Sequence, residues 1–305
     1  MKKFPLAISK FPLAIIAIAI ISTLLFTACR KDEYETRHMT FVTNYSPVQF
    51  YLNGNGEATI DWGDGTPSET YTFAKENLSP QRFTHSYSSS PPHVITITGE
   101  NITILLCDGY RLTNLDVSRN TALTDLTCYD NQLTSLDVSK NPVLRLLDCG
   151  YNQLTHLDLS RNTALIALFC YGNQLTNLDV SRNTALTHLI CGYNQLTNLD
   201  VSRNTALTYL NCYNIQLTHL DVSRNTALKT LYCDNNQLTN LDVSKNTALT
   251  YLNCRNNQLQ ADALNTLFHS LPVFSLGIIL IAGNPGTDAC DKSIATAKGW
   301  TVWDY

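Results

Sequence analysis

A cysteine recurs every 21 residues through the middle of this chain, and this fixed period restricts the fold more than any other feature. The repeating frame is Leu-x-x-Leu-x-Cys-x-x-Asn-x-Leu, as in Leu123, Leu126, Cys128, Asn131 and Leu133. A constant period of this length predicts a solenoid, in which each repeat forms one coil stacked on the last. The periodic cysteines are Cys107, Cys128, Cys149, Cys170, Cys191, Cys212, Cys233 and Cys254.

These cysteines are predicted to form a column of buried free thiols. Stacking places them at one inward position, about 4.8 Å apart, which is the spacing of neighbouring strands. Their parallel Cβ vectors do not give the torsion that a disulfide requires, whereas a buried cysteine behaves as a small hydrophobe. Metal binding is the alternative, although no histidine shares the inward position. Cys290 lies outside the period and is expected to pack in a terminal cap.

The repeat resembles the leucine-rich repeat, in the internalin J-like 21-residue form with cysteine in the third core position. Residues 100–259 carry the resemblance, which implies a parallel β-sheet of Leu-x-Cys strands on the concave side of the solenoid. Only about a dozen residues separate successive strands, so extended or 3₁₀ turns are predicted for the convex side. The Leu-Asp-hydrophobic-Ser copies begin at Leu115, Leu136, Leu157, Leu178, Leu199, Leu220 and Leu241.

Two periodic asparagine columns, exemplified by Asn173 and Asn183, are predicted to turn inward and bond free backbone groups where each coil bends. The oxygen-bearing side chains of the recurring Asp116-x-Ser118-x-Asn120 pattern suggest calcium binding, but the pattern lacks the glycines of calcium-binding repeat loops. Turn capping is therefore the prediction for this pattern. One coil departs from the frame, because Ile215 occupies its asparagine position.

Both flanks of the repeats differ from the repeat pattern. Short alternating runs over 39–99 and the motif Asp61-Trp62-Gly63-Asp64-Gly65-Thr66 resemble a PKD-type β-sandwich, which is expected to cap the first coil. Residues 260–305 are predicted to form an α/β C-terminal cap. It comprises a helix over 262–271, one further coil, a helix over 288–298 and a closing strand over 300–303.

The first residues predict export. Lys2 and Lys3 precede an apolar run that ends in Ala28-Cys29, so residues 1–28 resemble a bacterial lipoprotein signal peptide. The resemblance implies lipidation at Cys29, a linker over 29–38 and a membrane partner through the lipid anchor. The charged residues after Cys29 resemble the tags of surface-exported Bacteroides-group lipoproteins, which implies an outer-membrane, surface-exposed location. An uncleaved membrane anchor is the alternative.

The charge of the chain gives no support for nucleic-acid binding. Removing residues 1–28 takes away three of 21 basic residues, which leaves 18 basic against 25 acidic residues, a net charge of −7. No basic run is present in the sequence.

The candidate ligand-binding residues are aromatic and lie beside the inward leucines and cysteines, on the side predicted to face solvent. The alternative is that these aromatics only stabilise the sheet. Alternation of tyrosine with glycine is expected to produce ridges and hollows. The candidates are Tyr129, Tyr151, Phe169, Tyr171, His188, Tyr193, Tyr209, Tyr213, Tyr232 and Tyr251.

These features predict a non-enzymatic cell-surface lipoprotein that binds a protein or host ligand, similar to internalin-type adhesins. Neither catalytic residues, a metal site nor a cofactor is predicted, and His188 is interpreted as a contact residue. The alternatives are a glycan-capture protein of a nutrient-uptake system and a structural cell-envelope protein.

Overall fold

The computed structural model describes residues 37–74, 79–88 and 92–305. The predicted signal peptide, Cys29 and all but the end of the predicted linker lie outside the described residues. Across the described ranges, no helix has both the length and the apolar character needed to cross a membrane.

The strands of the described residues form one continuous sheet of 15 strands. The first six make mostly antiparallel contacts at the N-terminal end, and strands β7 to β15 pair in parallel along the solenoid. The first six are β1 (His38–Thr43), β2 (Val48–Asp61), β3 (Glu69–Phe73), β4 (Gln81–His85), β5 (His93–Leu106) and β6 (Asn114–Asp116). The parallel strands are β7 (Asp125–Thr127), β8 (Leu146–Asp148), β9 (Ala167–Phe169), β10 (His188–Ile190), β11 (Tyr209–Asn211), β12 (Thr230–Tyr232), β13 (Tyr251–Asn253), β14 (Gly277–Leu280) and β15 (Trp300–Trp303).

Each repeat contributes one three-residue strand whose middle leucine points into the core. Leu189 lies opposite Leu168 and Leu210 in the two neighbouring strands, so identical frame positions stack without offset. The middle leucines and the following cysteines are fully buried in the repeats. The parallel solenoid predicted from the 21-residue period is therefore confirmed.

The periodic cysteines form the predicted column of buried, unbridged thiols. Several thiols donate to a carbonyl of the next coil, as Cys107 Sγ does to Thr127 O at 3.3 Å and Cys212 Sγ to Tyr232 O at 3.4 Å. Burial raises the pKa of thiols such as Cys149 and Cys191 well above the ordinary value. The protonated form is therefore favoured over the thiolate, which is the form that binds metals and acts as a nucleophile.

The asparagine columns bridge neighbouring coils, as predicted. Asn173 Nδ2 donates to the carbonyls of Cys149 and Cys170 at 2.9 and 3.1 Å, and its Oδ1 accepts from Leu154 N at 2.9 Å. In the second column, Asn183 Nδ2 donates to Leu159 O and Asn162 O at 3.1 and 2.8 Å. Turn capping by aspartate is also confirmed, because the backbone amide two residues on donates to each of these carboxylates, as Ser181 N does to Asp179 at 2.9 Å.

The coil that contains Ile215 interrupts the first asparagine column. Ile215 is fully buried. In the neighbouring coils an asparagine Oδ1 at this position accepts a hydrogen bond from a leucine amide, whereas Ile215 offers no oxygen to the corresponding amide of Leu196. The next residue, Gln216, has a φ of 65°, in the left-handed region. With isoleucine in place of asparagine, this coil lacks the side-chain hydrogen bonds to its neighbour and buries an apolar side chain instead, and its local turn differs.

The N-terminal strands extend the repeat sheet. β5 runs across the predicted boundary between residues 99 and 100, and its last residues, Ile104 to Leu106, pair in parallel with β7. β1 pairs with both β5 and β6. Phe41 and Phe50 pack edge to face at 5.2 Å within a core that is continuous with that of the repeats. These strands therefore lie directly against the first coil, and the sheet continues past residue 99.

At the other end, α1 (Ala261–Ser270) buries Leu264, Leu267 and Phe268 and matches the helix expected over 262–271 to within one residue. α2 (Ser293–Thr296) is much shorter than the helix expected over 288–298. The residues before α2 form turns instead, in which the amides of Ala289 and Cys290 both donate to Gly286 O. β15 then adds the last strand of the sheet.

Candidate ligand-binding face

The first and third residues of the repeat strands lie on the outer side of the sheet, where most are partly exposed on either side of the buried leucine. Backbone hydrogen bonds between coils continue past the strands, as from Tyr151 N to Tyr171 O at 2.8 Å. The candidate aromatics therefore project from a regular ladder. They fall into two groups rather than one strip.

The first group, here called the strand ladder, comprises His188, Tyr209, Tyr232 and Tyr251. Successive rings lie in contact along neighbouring strands, with centroid separations of 5.9, 5.8 and 4.9 Å. All four side chains are partly exposed. Burial lowers the pKa of His188, which therefore favours the neutral, stacked imidazole at neutral pH.

The second group, here called the turn cluster, lies just beyond the strand ends and comprises Tyr129, Tyr151, Tyr171, Tyr193 and Tyr213. Tyr151 packs edge to face against Tyr129 at 5.6 Å and against Tyr171 at 5.2 Å. Tyr193 and Tyr213 form a matching pair at 4.6 Å. Tyr151 and Tyr193 are the exposed members, at 40% and 41%.

Two of the predicted contact residues are buried. Phe169 is 7% exposed and Tyr213 is 9% exposed, so neither offers the contact area that its sequence position suggested. The Tyr213 ring is held against Gly192, and Phe169 lies on a central strand between Asp148 and Ile190.

The glycines of the turn cluster are not hollows, so that expectation is wrong. A Cβ atom at Gly150 would lie 2.8 Å from the Tyr171 ring, and one at Gly192 would lie 2.3 Å from the Tyr213 ring. At Gly172 it would lie 2.8 Å from the Tyr151 ring. Each glycine is therefore covered by a tyrosine of a neighbouring coil, because only a hydrogen leaves room for the ring.

Replacing Gly192 with alanine is expected to destabilise the protein by about 1–3 kcal/mol, because the new methyl overlaps the Tyr213 ring. Urea denaturation measures this change. In a Tyr213→Ala background the same change at Gly192 should cost less, because the overlap with the ring is gone and only the close approach to the Tyr213 carbonyl oxygen, at 2.7 Å, remains. Additive losses from the two changes would contradict the proposed contact.

Carboxylates occupy the N-terminal part of the face, and sequence reasoning did not include them among the site residues. Asp108 accepts from Thr127 Oγ1 at 2.9 Å and from Tyr129 N at 2.8 Å, and Asp148 accepts from Gly150 N at 3.0 Å. The pKa of Asp148 is raised to about 7, mainly by burial and also by the nearby charge of Asp108, while the Gly150 hydrogen bond acts in the opposite direction. The repeat frame was the available signal, because it places Asp148 on the same face as the tyrosines.

Across the described ranges, no three histidine, cysteine, aspartate or glutamate side chains are grouped so that they could hold a metal ion. The candidate face presents aromatic rings, hydroxyls and amides, with carboxylates in its N-terminal part and a further carboxylate, Asp234, near the other end. Such groups provide apolar contact area together with hydrogen bonds.

Stacked Leu-x-Cys strands with inward asparagines place the chain in the leucine-rich-repeat fold class. The chain is similar to the functional domain of InlJ from Listeria monocytogenes, which includes a cysteine ladder. The identity is 38% over 68% of this chain and 50% of that chain, with a TM-score of 0.59. The inward thiol column is the counterpart in this chain of such a ladder.

Two other leucine-rich-repeat structures show the same fold. The Leptospira interrogans protein LIC12759 is 24% identical over 62% of this chain and 50% of its own, with a TM-score of 0.55. The leucine-rich repeat domain of APL1B is 19% identical over 64% of this chain and 59% of its own, with a TM-score of 0.54. This chain thus spans about half the length of InlJ and LIC12759. No protein-family model and no curated protein matches the sequence.

Proposed function

We propose that this chain is a non-enzymatic binding protein that captures a protein ligand on its aromatic concave face. The observation that carries the proposal is the run of aromatic side chains from Tyr129 to Tyr251, in which each of seven consecutive coils contributes at least one ring to the strand ladder or the turn cluster. The leucine-rich-repeat fold supports the same class, because solenoids of this kind present extended concave surfaces for binding. The internalin-like proteins that this chain resembles are also generally binding proteins rather than enzymes.

The dimensions of the face suit a protein partner. The run covers seven coils, hence six intervals of about 4.8 Å, or roughly 29 Å along the solenoid. A stable protein interface buries about 800 Å² on each partner, which a surface of this length can supply. Tyrosine has few rotatable bonds, so its immobilisation costs little entropy for the area that it buries.

The proposed location is the bacterial outer-membrane surface, with a lipid anchor at Cys29. The support is the sequence alone: Lys2 and Lys3, the apolar run and Ala28-Cys29. The N-terminal strands are proposed to be a PKD-like module on the basis of the motif that begins at Asp61. In this motif Asp64 bonds His85 at 2.7 Å, and the imidazole stacks on Trp62 at 4.7 Å.

The binding proposal is tested with the full chain on arrays of extracellular proteins and of glycans. A Tyr209→Ser, Tyr232→Ser, Tyr251→Ser variant is expected to lose at least tenfold in affinity for the protein captured by the wild type. The matched control is Arg203→Ser, Arg224→Ser, Lys245→Ser, which changes exposed side chains in the same three coils but away from the strands. The control should bind as the wild type does.

Circular dichroism verifies that both variants are folded. Failure to bind any array protein, or equal affinity in the tyrosine variant, would overturn the proposal. Capture of glycans alone would assign the face to sugar binding instead and support the glycan-capture alternative.

A further inference from the structure

The turn cluster repeats every two coils, on top of the single-coil period of the cysteines. The residue after the cysteine alternates between tyrosine and glycine over five consecutive coils, and on both glycine coils the next residue is tyrosine. Tyr151 and Tyr193 are therefore separated by 42 residues, twice the period of 21. The alternating residues are Tyr129, Gly150, Tyr171, Gly192 and Tyr213.

Packing between coils explains the alternation. The Tyr171 ring occupies the space above Gly150, and the Tyr213 ring occupies the space above Gly192. A side chain on either glycine would collide with the ring that covers it, so the two kinds of coil have to alternate. Tyr151 and Tyr193 then stand nearly perpendicular to these covering rings, at interplanar angles of 80° and 77°.

Tyr151 and Tyr193 also occupy a backbone conformation that disfavours tyrosine. Their φ angles are 47° and 50°, in the left-handed region that bulky residues avoid. The equivalent position in the other coils has the same sign of φ and holds glycine, aspartate or asparagine. Strained, exposed residues of this kind gather at binding sites. These equivalents are Gly109, Asp130, Gly172, Asn214, Asn235 and Asn256.

The spacing of the two tyrosines restricts the shape of a repeating ligand. Hydrogen bonds from Tyr151 N to Tyr171 O at 2.8 Å and from Gly172 N to Gly192 O at 3.0 Å keep the turns between the two tyrosines at strand spacing. Two coils therefore span about 9.6 Å. A polyproline II helix advances about 9.3 Å per turn of three residues. An α-helix advances about 5.4 Å per turn, and two residues of a β-strand advance about 6.8 Å.

We propose that Tyr151 and Tyr193 bind a proline-rich segment in the polyproline II conformation, which runs along the solenoid axis with one turn per tyrosine. This inference rests on the proposed function and specifies its ligand. The exposed parts of the two aromatic rings offer apolar surface to proline rings, and binding by aromatic-lined grooves is a known mode of polyproline recognition. The carbonyls of a polyproline II helix make no internal hydrogen bonds, so the tyrosine hydroxyls can donate to them.

Fluorescence anisotropy of labelled decaproline with the full chain tests this site. The Tyr151→Asn, Tyr193→Asn variant places at both positions the residue that Asn214 and Asn235 already provide, so the backbone turn is retained. We expect saturable binding by the wild type and at least a tenfold loss of affinity in the double variant. Asn235→Gly, Asn256→Gly is the matched control at the same position of later coils, and it should bind as the wild type does.

Three results would overturn the proposal: no saturable decaproline binding, equal binding of a labelled Gly-Ser decamer, or unchanged affinity in the double variant. If decaproline does not bind but the chain still captures an array protein, only the polyproline assignment is overturned. Absence of any array ligand would remove the proposed function itself. Binding of a chitin oligosaccharide at Tyr151 and Tyr193, with none of decaproline, would assign the two-coil period to a glycan.

Discussion

Replacing Asn173 with alanine is expected to lower the free energy of unfolding by about 2–3 kcal/mol. The side chain bridges two carbonyls, those of Cys149 and Cys170, and accepts from the Leu154 amide, all in the interior. Alanine removes these bonds and leaves the Leu154 amide without a partner where water does not reach it, whereas both carbonyls still accept from another asparagine of the same column. The cost of the one desolvated, unpaired amide then dominates, because the lost side chain contributes little apolar burial.

Asn183→Ala is the matched comparison from the second asparagine column. Asn183 also donates to two carbonyls, but its Oδ1 accepts no hydrogen bond. Its replacement leaves no backbone group unpaired, because both carbonyls also accept from backbone amides, and it should therefore cost less, about 1 kcal/mol. Urea denaturation followed by far-ultraviolet circular dichroism measures both values. An equal or larger loss for Asn183→Ala would show that the bond to the leucine amide adds nothing to the first column.

Raising the pH from 5 to 8 is expected to destabilise the wild type by about 2–3 kcal/mol through Asp148 alone. The folded-state pKa of about 7 lies above the ordinary 3.8, because burial disfavours the charged carboxylate. The folded state therefore holds a proton that the unfolded state releases. Stability from this group is full below about pH 4 and is lost as the pH rises through 7.

Asp148→Asn removes this pH dependence while its side-chain oxygen can still accept from Gly150 N. Urea denaturation at pH 5 and pH 8 gives the change in the free energy of unfolding between the two pH values for each protein. Subtracting the change in Asp148→Asn from that in the wild type cancels the contributions that other titrating groups make to both proteins. Asp179→Asn is the control without effect: hydrogen bonds from Ser181 lower the pKa of that exposed carboxylate, so it is charged in both the folded and the unfolded state from pH 5 to pH 8, and its replacement should leave the pH dependence of the wild type unchanged. A pH dependence in Asp148→Asn equal to that of the wild type would refute the assignment.

Repetition is the reason why much of the solenoid could be predicted. A residue such as Leu189 meets its own counterparts, Leu168 and Leu210, in the neighbouring coils. The frame of one repeat therefore specifies the contacts of the next. The inward thiols, the asparagine bridges and the parallel strands all follow from this translation by 21 residues.

The candidate face was only partly predictable, because its side chains differ from coil to coil. The frame assigns outward positions, but it does not give the direction in which a long side chain turns. The burial of Phe169, and of Tyr213 against Gly192, depends on that direction. So does the separation of the aromatics into the strand ladder and the turn cluster.

The sequence by itself determined the coil, its period and its interior, because those depend on small, repeated contacts between identical positions. Only the tertiary structure decided where the solenoid sheet ends and which tyrosines reach solvent. β5 continues into the first coil because hydrogen bonding and apolar burial both favour covering an open solenoid end. Tyr151 and Tyr193 remain exposed because the rings of Tyr171 and Tyr213 already occupy the space over the glycines.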